Sequence, residues 1–105
     1  MAHTVEFEPT FFVRATYVED AATKREPYRA EHLDNVARML SDGRLIVAGA
    51  LADMSASVLV VRAADADAAT AMMEQDVYWR TGVWTNIEVS AYNAATEASV
   101  RDGLA

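Results

Sequence analysis

An α+β fold of order βαββαβ, with an antiparallel sheet and two helices on one face, is what this chain predicts. Three observations carry that reading. Four segments are rich in β-branched and aromatic residues, two helical segments alternate with them, and 105 residues fit one domain. Hydrophobic residues make up 52% of the chain, enough for a core and too many for disorder.

Residues 1–9 read as an N-terminal tail ending at Pro9. Thr10–Tyr17 (TFFVRATY) is the first strand. Val18–Pro27 reads as a charged loop, and Pro27 biases Glu26 away from helix. Arg29–Ser41 is the first helix, with Leu33, Val36, Ala37 and Leu40 at i, i+3, i+4 and i+7 as its apolar stripe. Asp42-Gly43 stops it, Gly43 being suited to a left-handed cap. Arg44–Leu51 (RLIVAGAL) and Ser57–Arg62 (SVLVVR) follow as strands joined by a short turn. Asp65 or Asp67 caps the second helix, Ala66–Gln75, which buries Ala69, Met72 and Met73. Asp76–Val83 reads as a connection, Trp84–Tyr92 (WTNIEVSAY) as the last strand, and Asn93–Ala105 as a loose tail or short helix. This order is the ferredoxin-like arrangement.

The strands also predict an assembly. Two helices cover one sheet face, and a solvated second face would alternate polar with apolar. Leu45-Ile46-Val47-Ala48 and Val58-Leu59-Val60-Val61 do not alternate. A second copy packed sheet to sheet is the cheapest cover, so a homodimer or larger assembly is expected.

Net charge is −7, which argues against nucleic-acid and anionic-membrane partners. No apolar run reaches the roughly 18 residues that a spanning helix needs. The N-terminus lacks the basic start and apolar stretch of a secretory signal, so a cytoplasmic location is expected. There is no cysteine, which removes disulfides, thiolate metal sites and Cys nucleophiles. No metal-ligand spacing and no glycine-rich phosphate or dinucleotide loop occurs, so any chemistry is expected to be cofactor-free or to rest on a diffusible metal.

The candidate site residues are few. His32 lies in the first turn of its helix, where positive potential disfavours the imidazolium and leaves a neutral base. Asp76 closes the second helix, an unfavourable place for a carboxylate unless it orients a histidine or binds a cationic or hydroxyl group. The bland alternatives are a solvated histidine and a turn aspartate. Arg29 can anchor a carboxylate or phenolate through its planar fork. Arg14 sits in an otherwise apolar strand, pointing either to solvent or into a cavity. Tyr78 with Phe12, Trp79, Trp84 and Tyr92 can line an aromatic pocket, although aromatic residues mostly build cores. Ser57 is a hydrogen-bonding candidate rather than a nucleophile, since no base adjoins it.

These motifs taken in order resemble the YciI-like (YCII-related) family. The residues are FFVRATY, Arg29-x-x-His32-Leu33, Asp42-Gly43-Arg44-Leu45, Ala48-Gly49 with Leu51, Ser57, Asp76-x-Tyr78 and Gly82-Val83, spanning about residues 10–92. The resemblance implies a dimeric α+β barrel and a cleft in which His32 and Asp76 pair for proton transfer on a small cyclic or aromatic compound. One branch of the family removes chloride from a chlorinated hydroxyhydroquinone. Where the family often has Pro after the Arg and after the Asp, this chain has Ala30 and Val77, leaving the turn at Asp76 less restricted.

The expected function is therefore a cofactor-independent acid–base enzyme performing an elimination, isomerisation or dehydrochlorination. His32 is the base, Asp76 orients it, Arg29 or Arg14 binds an anionic oxygen, Gly49 lets substrate approach the backbone, and Ser57 donates a hydrogen bond. A non-catalytic metabolite-binding or accessory dimer is the alternative. A cofactor-free monooxygenase on phenolic polyketide-like substrates is a weaker one, resting on fold analogy.

Overall fold

The computed structural model describes residues 3–102. Its strands are β1 (His3–Val5), β2 (Glu8–Tyr17), β3 (Leu45–Ala50), β4 (Ala56–Val61), β5 (Trp84–Ala94) and β6 (Val100–Asp102). Its α-helices are α1 (Ala21–Lys24), α2 (Arg29–Ser41), α3 (Ala66–Glu74) and α4 (Val77–Arg80). β3-β4-β2-β5 form one antiparallel sheet, the ferredoxin-like strand order.

Alternation along β2 settles the two faces. Val13, Ala15 and Tyr17 are buried in the core, together with Leu45 of β3 and Leu59 and Val61 of β4. Met39 of α2 and Ala69 and Met73 of α3 cover them. Thr10, Phe12, Arg14 and Thr16 point the other way, in register with Val58 and Val60 of β4 and with Asn86, Glu88, Ser90 and Tyr92 of β5. Within this chain that second face is buried at Thr10 and Val60 and open elsewhere, and Val47 (55% exposed) and Tyr92 (46%) lie on it.

Two bulges correct a simple period of two. In the β2–β5 pairing the register shifts between Thr16 and Tyr17, so that Tyr17 faces Trp84. Strict alternation would place Trp84 with Asn86 and Glu88. The extra residue instead turns it into the core beside Ile87 and Val89. The second shift, between Leu45 and Val47, lets both Leu45 and Ala48 reach the core.

Three expectations change. The segment read as a charged loop holds α1 and a 3-10 turn, Glu26–Tyr28, with Pro27 in the first positions of the turn, where its missing N–H costs nothing. The stripe of α2 is rotated: His32 and Met39 are buried, while Leu33 and Leu40 are 47% and 46% exposed. A histidine held by a carboxylate occupies a core position, which a pattern counted on apolar residues misses. The stretches read as tails also carry structure. β2 begins at Glu8, with Pro9 beyond the β4 pairing, where β2 is bonded on one side only. β1 pairs with β6, and Glu6 N–H donates to the Ser99 carbonyl at 2.9 Å, closing a two-stranded ribbon.

The helix caps follow the sequence. Asp65 accepts from Ala68 N–H at 2.8 Å to start α3. Gly43 ends α2 at φ +83°, the left-handed region that glycine enters without penalty. No helix among the described residues is long and apolar enough to cross a membrane.

Candidate active site

Asp76 does not close α3. The helix ends at Glu74, and the chain turns so that Asp76 caps the N-terminus of α4. Its Oδ1 accepts from Tyr78 N–H at 2.9 Å. A carboxylate at a helix start is favourable, so the supposed clash with a helix C-terminus disappears. Val77 stands at the first helical position, where proline would be accepted, and is 5% exposed. The capping bond and this burial together hold the turn.

The same carboxylate meets His32. His32 Nδ1 lies 2.8 Å from Asp76 Oδ1, and Asn35 Nδ2 donates to Asp76 Oδ2 at 2.9 Å. Asn35 follows His32 by three residues on α2, so one helix face presents both. Burial pushes the Asp76 carboxyl pKa up. Hydrogen bonds from His32, the Tyr78 backbone and Asn35 outweigh it and hold the pKa below the ordinary 3.8. Asp76 is therefore an acceptor on both oxygens. The Nδ1 of His32 must then carry a proton, so that in the neutral tautomer the lone pair is on Nε2.

Aromatic rings fix the imidazole plane. Tyr78 stacks on His32 at 3.8 Å between centroids and 8° between planes. Trp84 meets the same ring edge-on at 5.5 Å and 86°. Tyr78 is 1% exposed, and its phenol pKa is pushed up chiefly by burial. It is a platform, and an electron-rich ring face also stabilises an imidazolium as it forms.

A pocket of about 160 Å³ opens beside the dyad. His32, Leu33 and Val36 of α2, Ala48–Ala50 of β3, Ser57 and Leu59 of β4, and Tyr17, Tyr78 and Trp84 line it. Ser57 Oγ donates to Tyr17 Oη at 2.9 Å and accepts from Trp84 Nε1 at 3.3 Å. Arg25 and Arg29 complete the lining. A cavity of roughly 150 Å³ accommodates a benzene ring, so a single substituted ring fits.

The predicted residues thus divide. His32, Asp76 and Tyr78 meet directly, and Arg29, Gly49 and Ser57 line the same pocket. Arg14 does not join them. It lies on the open sheet face between Val58 and Glu88, because β2 alternates and its neighbours Val13 and Ala15 are fully buried in the core. Gly49 contributes backbone alone. A Cβ there would meet nothing within 4 Å.

Asn35, Tyr17 and Arg25 were not singled out by sequence. Asn35 had a signal in its i+3 spacing from His32. Tyr17 and Arg25 had none, since chain reversals bring them to the pocket. Among the described residues no group of three or more His, Asp and Glu is placed to hold a metal ion.

Three comparisons bear on this geometry. The family model of the YCII-related domain matches residues 10–93. No curated protein matches the chain significantly. Among solved structures, the chain is similar to 5-chloro-2-hydroxyhydroquinone dehydrochlorinase from Burkholderia phenoliruptrix, in complex with 2,5-dihydroxybenzoquinone. That match has a TM-score of 0.70 and 18% identity, and covers 82% of this chain and 95% of the other.

Proposed function

The chain belongs to the YCII-related domain family, and from that premise we propose that it is a cofactor-independent acid–base enzyme acting on a small, enolisable or hydroxylated six-membered ring. The buried His32–Asp76 contact at 2.8 Å, beside a pocket of one-ring size, carries the reading. In the proposed step His32 Nε2 removes a proton from a ring hydroxyl or an adjacent carbon. The electron pair left behind forms a C=O or C=C bond. A leaving group departs with its bonding pair, or the proton returns at another carbon. Asp76 balances the imidazolium without taking its proton, and Asn35 keeps the carboxylate in place.

The similar solved structure is a dehydrochlorinase, which makes a chlorinated hydroxyhydroquinone the first substrate to try. Chloride release from 5-chloro-2-hydroxyhydroquinone, above a buffer blank, is the test. Wild type should release it, and His32→Ala should do so roughly 10²- to 10⁴-fold more slowly. Turnover that survives His32→Ala would remove the base assignment. Wild-type turnover no faster than the blank would remove the dehydrochlorination.

The apolar part of the open sheet face supports a homodimer as the working assembly. Phe12, Val47, Val58 and Tyr92 face solvent there in the single chain. Light scattering at working concentration should give twice the chain mass; the mass of one chain would exclude the dimer.

A further inference from the structure

One cation in the pocket wall has a use that the acid–base reading does not assign. Arg25 follows α1 and precedes the turn at Pro27. Its backbone is held by bonds from Arg25 N–H to the Ala21 carbonyl and from Tyr28 N–H to its own carbonyl, both 2.9 Å. Its side chain lines the pocket with His32, Tyr17 and Tyr78. Its Nε is buried and has no hydrogen-bond partner among the described residues.

A buried N–H of a guanidinium without an acceptor is costly, and native proteins seldom leave one. Nearby acceptors do not meet the need. Asp76 lies outside the lining with bonds from His32, Tyr78 N–H and Asn35, and Tyr17 Oη accepts from Ser57 and not from Arg25. Arg29 lines the same pocket and brings a second positive charge. Both guanidinium charges act on the Tyr78 phenol, pulling its pKa down against the upward push of burial and of Tyr17. The pocket lining thus holds two guanidiniums and the His32 ring, and no carboxylate.

We propose that Arg25 is the specificity-determining residue of this pocket, its guanidinium receiving an anionic oxygen carried on a single ring. The inference rests on the pocket being the substrate site and adds the charge class of what enters it. The oxygen comes from an ionised ring hydroxyl or from a ring carboxylate. During proton removal by His32 the same guanidinium stabilises the charge that spreads onto that oxygen.

Calorimetric titration with three probes tests this. They are 4-nitrophenolate in mildly alkaline buffer, benzoate, and neutral nitrobenzene. Wild type should bind an anionic probe more tightly than nitrobenzene. Arg25→Met should weaken that anion roughly 10- to 100-fold while changing nitrobenzene affinity less than about twofold, as expected for a hydrogen bond to a charged group. Arg25→Lys should recover part of the loss. Loss confined to 4-nitrophenolate assigns the ring hydroxylate as the source; loss confined to benzoate assigns the carboxylate. An arginine of purely structural use would lower the melting temperature when replaced. Here the ligand-free Arg25→Met protein should melt no lower than wild type, because a buried donor without a partner is removed.

The proposal is overturned if no anionic probe binds saturably, if anions and nitrobenzene bind equally, or if Arg25→Met keeps the wild-type preference. Its failure is separable from that of the acid–base reading. Ligand shifts of the His32 ring resonances, with affinity unchanged in Arg25→Met, would reject Arg25 and keep the pocket. Arg25-dependent binding together with chloride release that survives His32→Ala would keep Arg25 and reject the base.

Discussion

Two carboxylate pairs of nearly equal length sit at opposite ends of β2. At the Tyr17 end, His32 and Asp76 meet at 2.8 Å with side chains 11% and 2% exposed. At the Glu8 end, Arg62 and Glu8 meet at 2.9 Å with side chains 38% and 24% exposed. The second pair is bidentate, and Thr96 donates to the same carboxylate. Arg62 also donates to the Gly43 carbonyl at 2.8 Å, so one guanidinium ties the end of α2 to the starts of β2 and of the C-terminal segment. Distance does not separate the pairs; their surroundings do. The Glu8–Arg62 clamp spends every polar atom on holding chain segments. The dyad spends Nδ1 and both carboxylate oxygens on holding itself, keeps Nε2 free, and borders a pocket of one-ring size.

The largest expected effect breaks the symmetry between these ends. His32→Ala should cost roughly 10²- to 10⁴-fold in chloride release, whereas Arg62→Met should leave the rate within about twofold, since the clamp shares no partner with the dyad. Equal losses would mean that the clamp acts on the site through the sheet. Asp76→Asn sharpens the same contrast. An amide can turn its NH₂ toward His32, which would move the ring proton to Nε2. The rate should then fall by a similar 10²- to 10⁴-fold. Nitrogen chemical shifts of the His32 ring should show Nδ1–H in wild type and Nε2–H in the variant.

Stability separates the ends next. Asp76→Ala removes a helix cap worth about 1 kcal/mol and strands buried donors at about 1–3 kcal/mol. Urea melts should therefore show a loss of roughly 2–4 kcal/mol. Acid adds a second reading. Both carboxyls are more acidic in the folded chain, Asp76 below 3.8 and Glu8 at about 2 against an ordinary 4.5. The unfolded chain therefore binds protons first. The stabilisation is complete above the ordinary values and drains as pH falls through the folded ones. Asp76→Asn should flatten the fall in stability below pH 3.8, and Glu8→Gln the fall between 4.5 and about 2. Added salt should weaken the Glu8 contribution and leave that of Asp76 nearly unchanged, because exposure admits counterions.

The two ends were unequally legible in the sequence. Strand order, both long helices and the capping residues Gly43 and Asp65 follow from local chemistry, and the fold shows all of them. The residue types of the dyad are legible too, but their meeting across 44 positions follows only from the family resemblance and not from local pattern. That contact depends on a break after Glu74 which lets Asp76 start a new helix, and Val77 gives no sign of it. The apolar strand around Arg14 allows either solvent or a cavity, and alternation with the buried Val13 and Ala15 places it on the open face. Trp84 reaches the pocket only through a bulge, which strict alternation hides. The clamp was not legible at all: Glu8 fell in a supposed tail, and its partners lie 54 and 88 residues away.

The smallest effects compare one glycine from each end. Gly43 belongs to the clamp, with φ +83° and its carbonyl bound to Arg62. Alanine there must enter the left-handed region at a cost of about 1–2 kcal/mol. Gly49 belongs to the pocket wall, has no positive φ, and leaves at least 4 Å of space where a Cβ would go. Its neighbour Ala48 packs on the core, so the added methyl points to the open face, away from His32. Gly49→Ala should change stability by less than about 0.5 kcal/mol and leave probe affinity unchanged. Denaturant melts and titration of the same variant check both. A clear loss of binding with stability intact would mean that substrate approaches this backbone from the open face, and the pocket would have to extend through the edge strand.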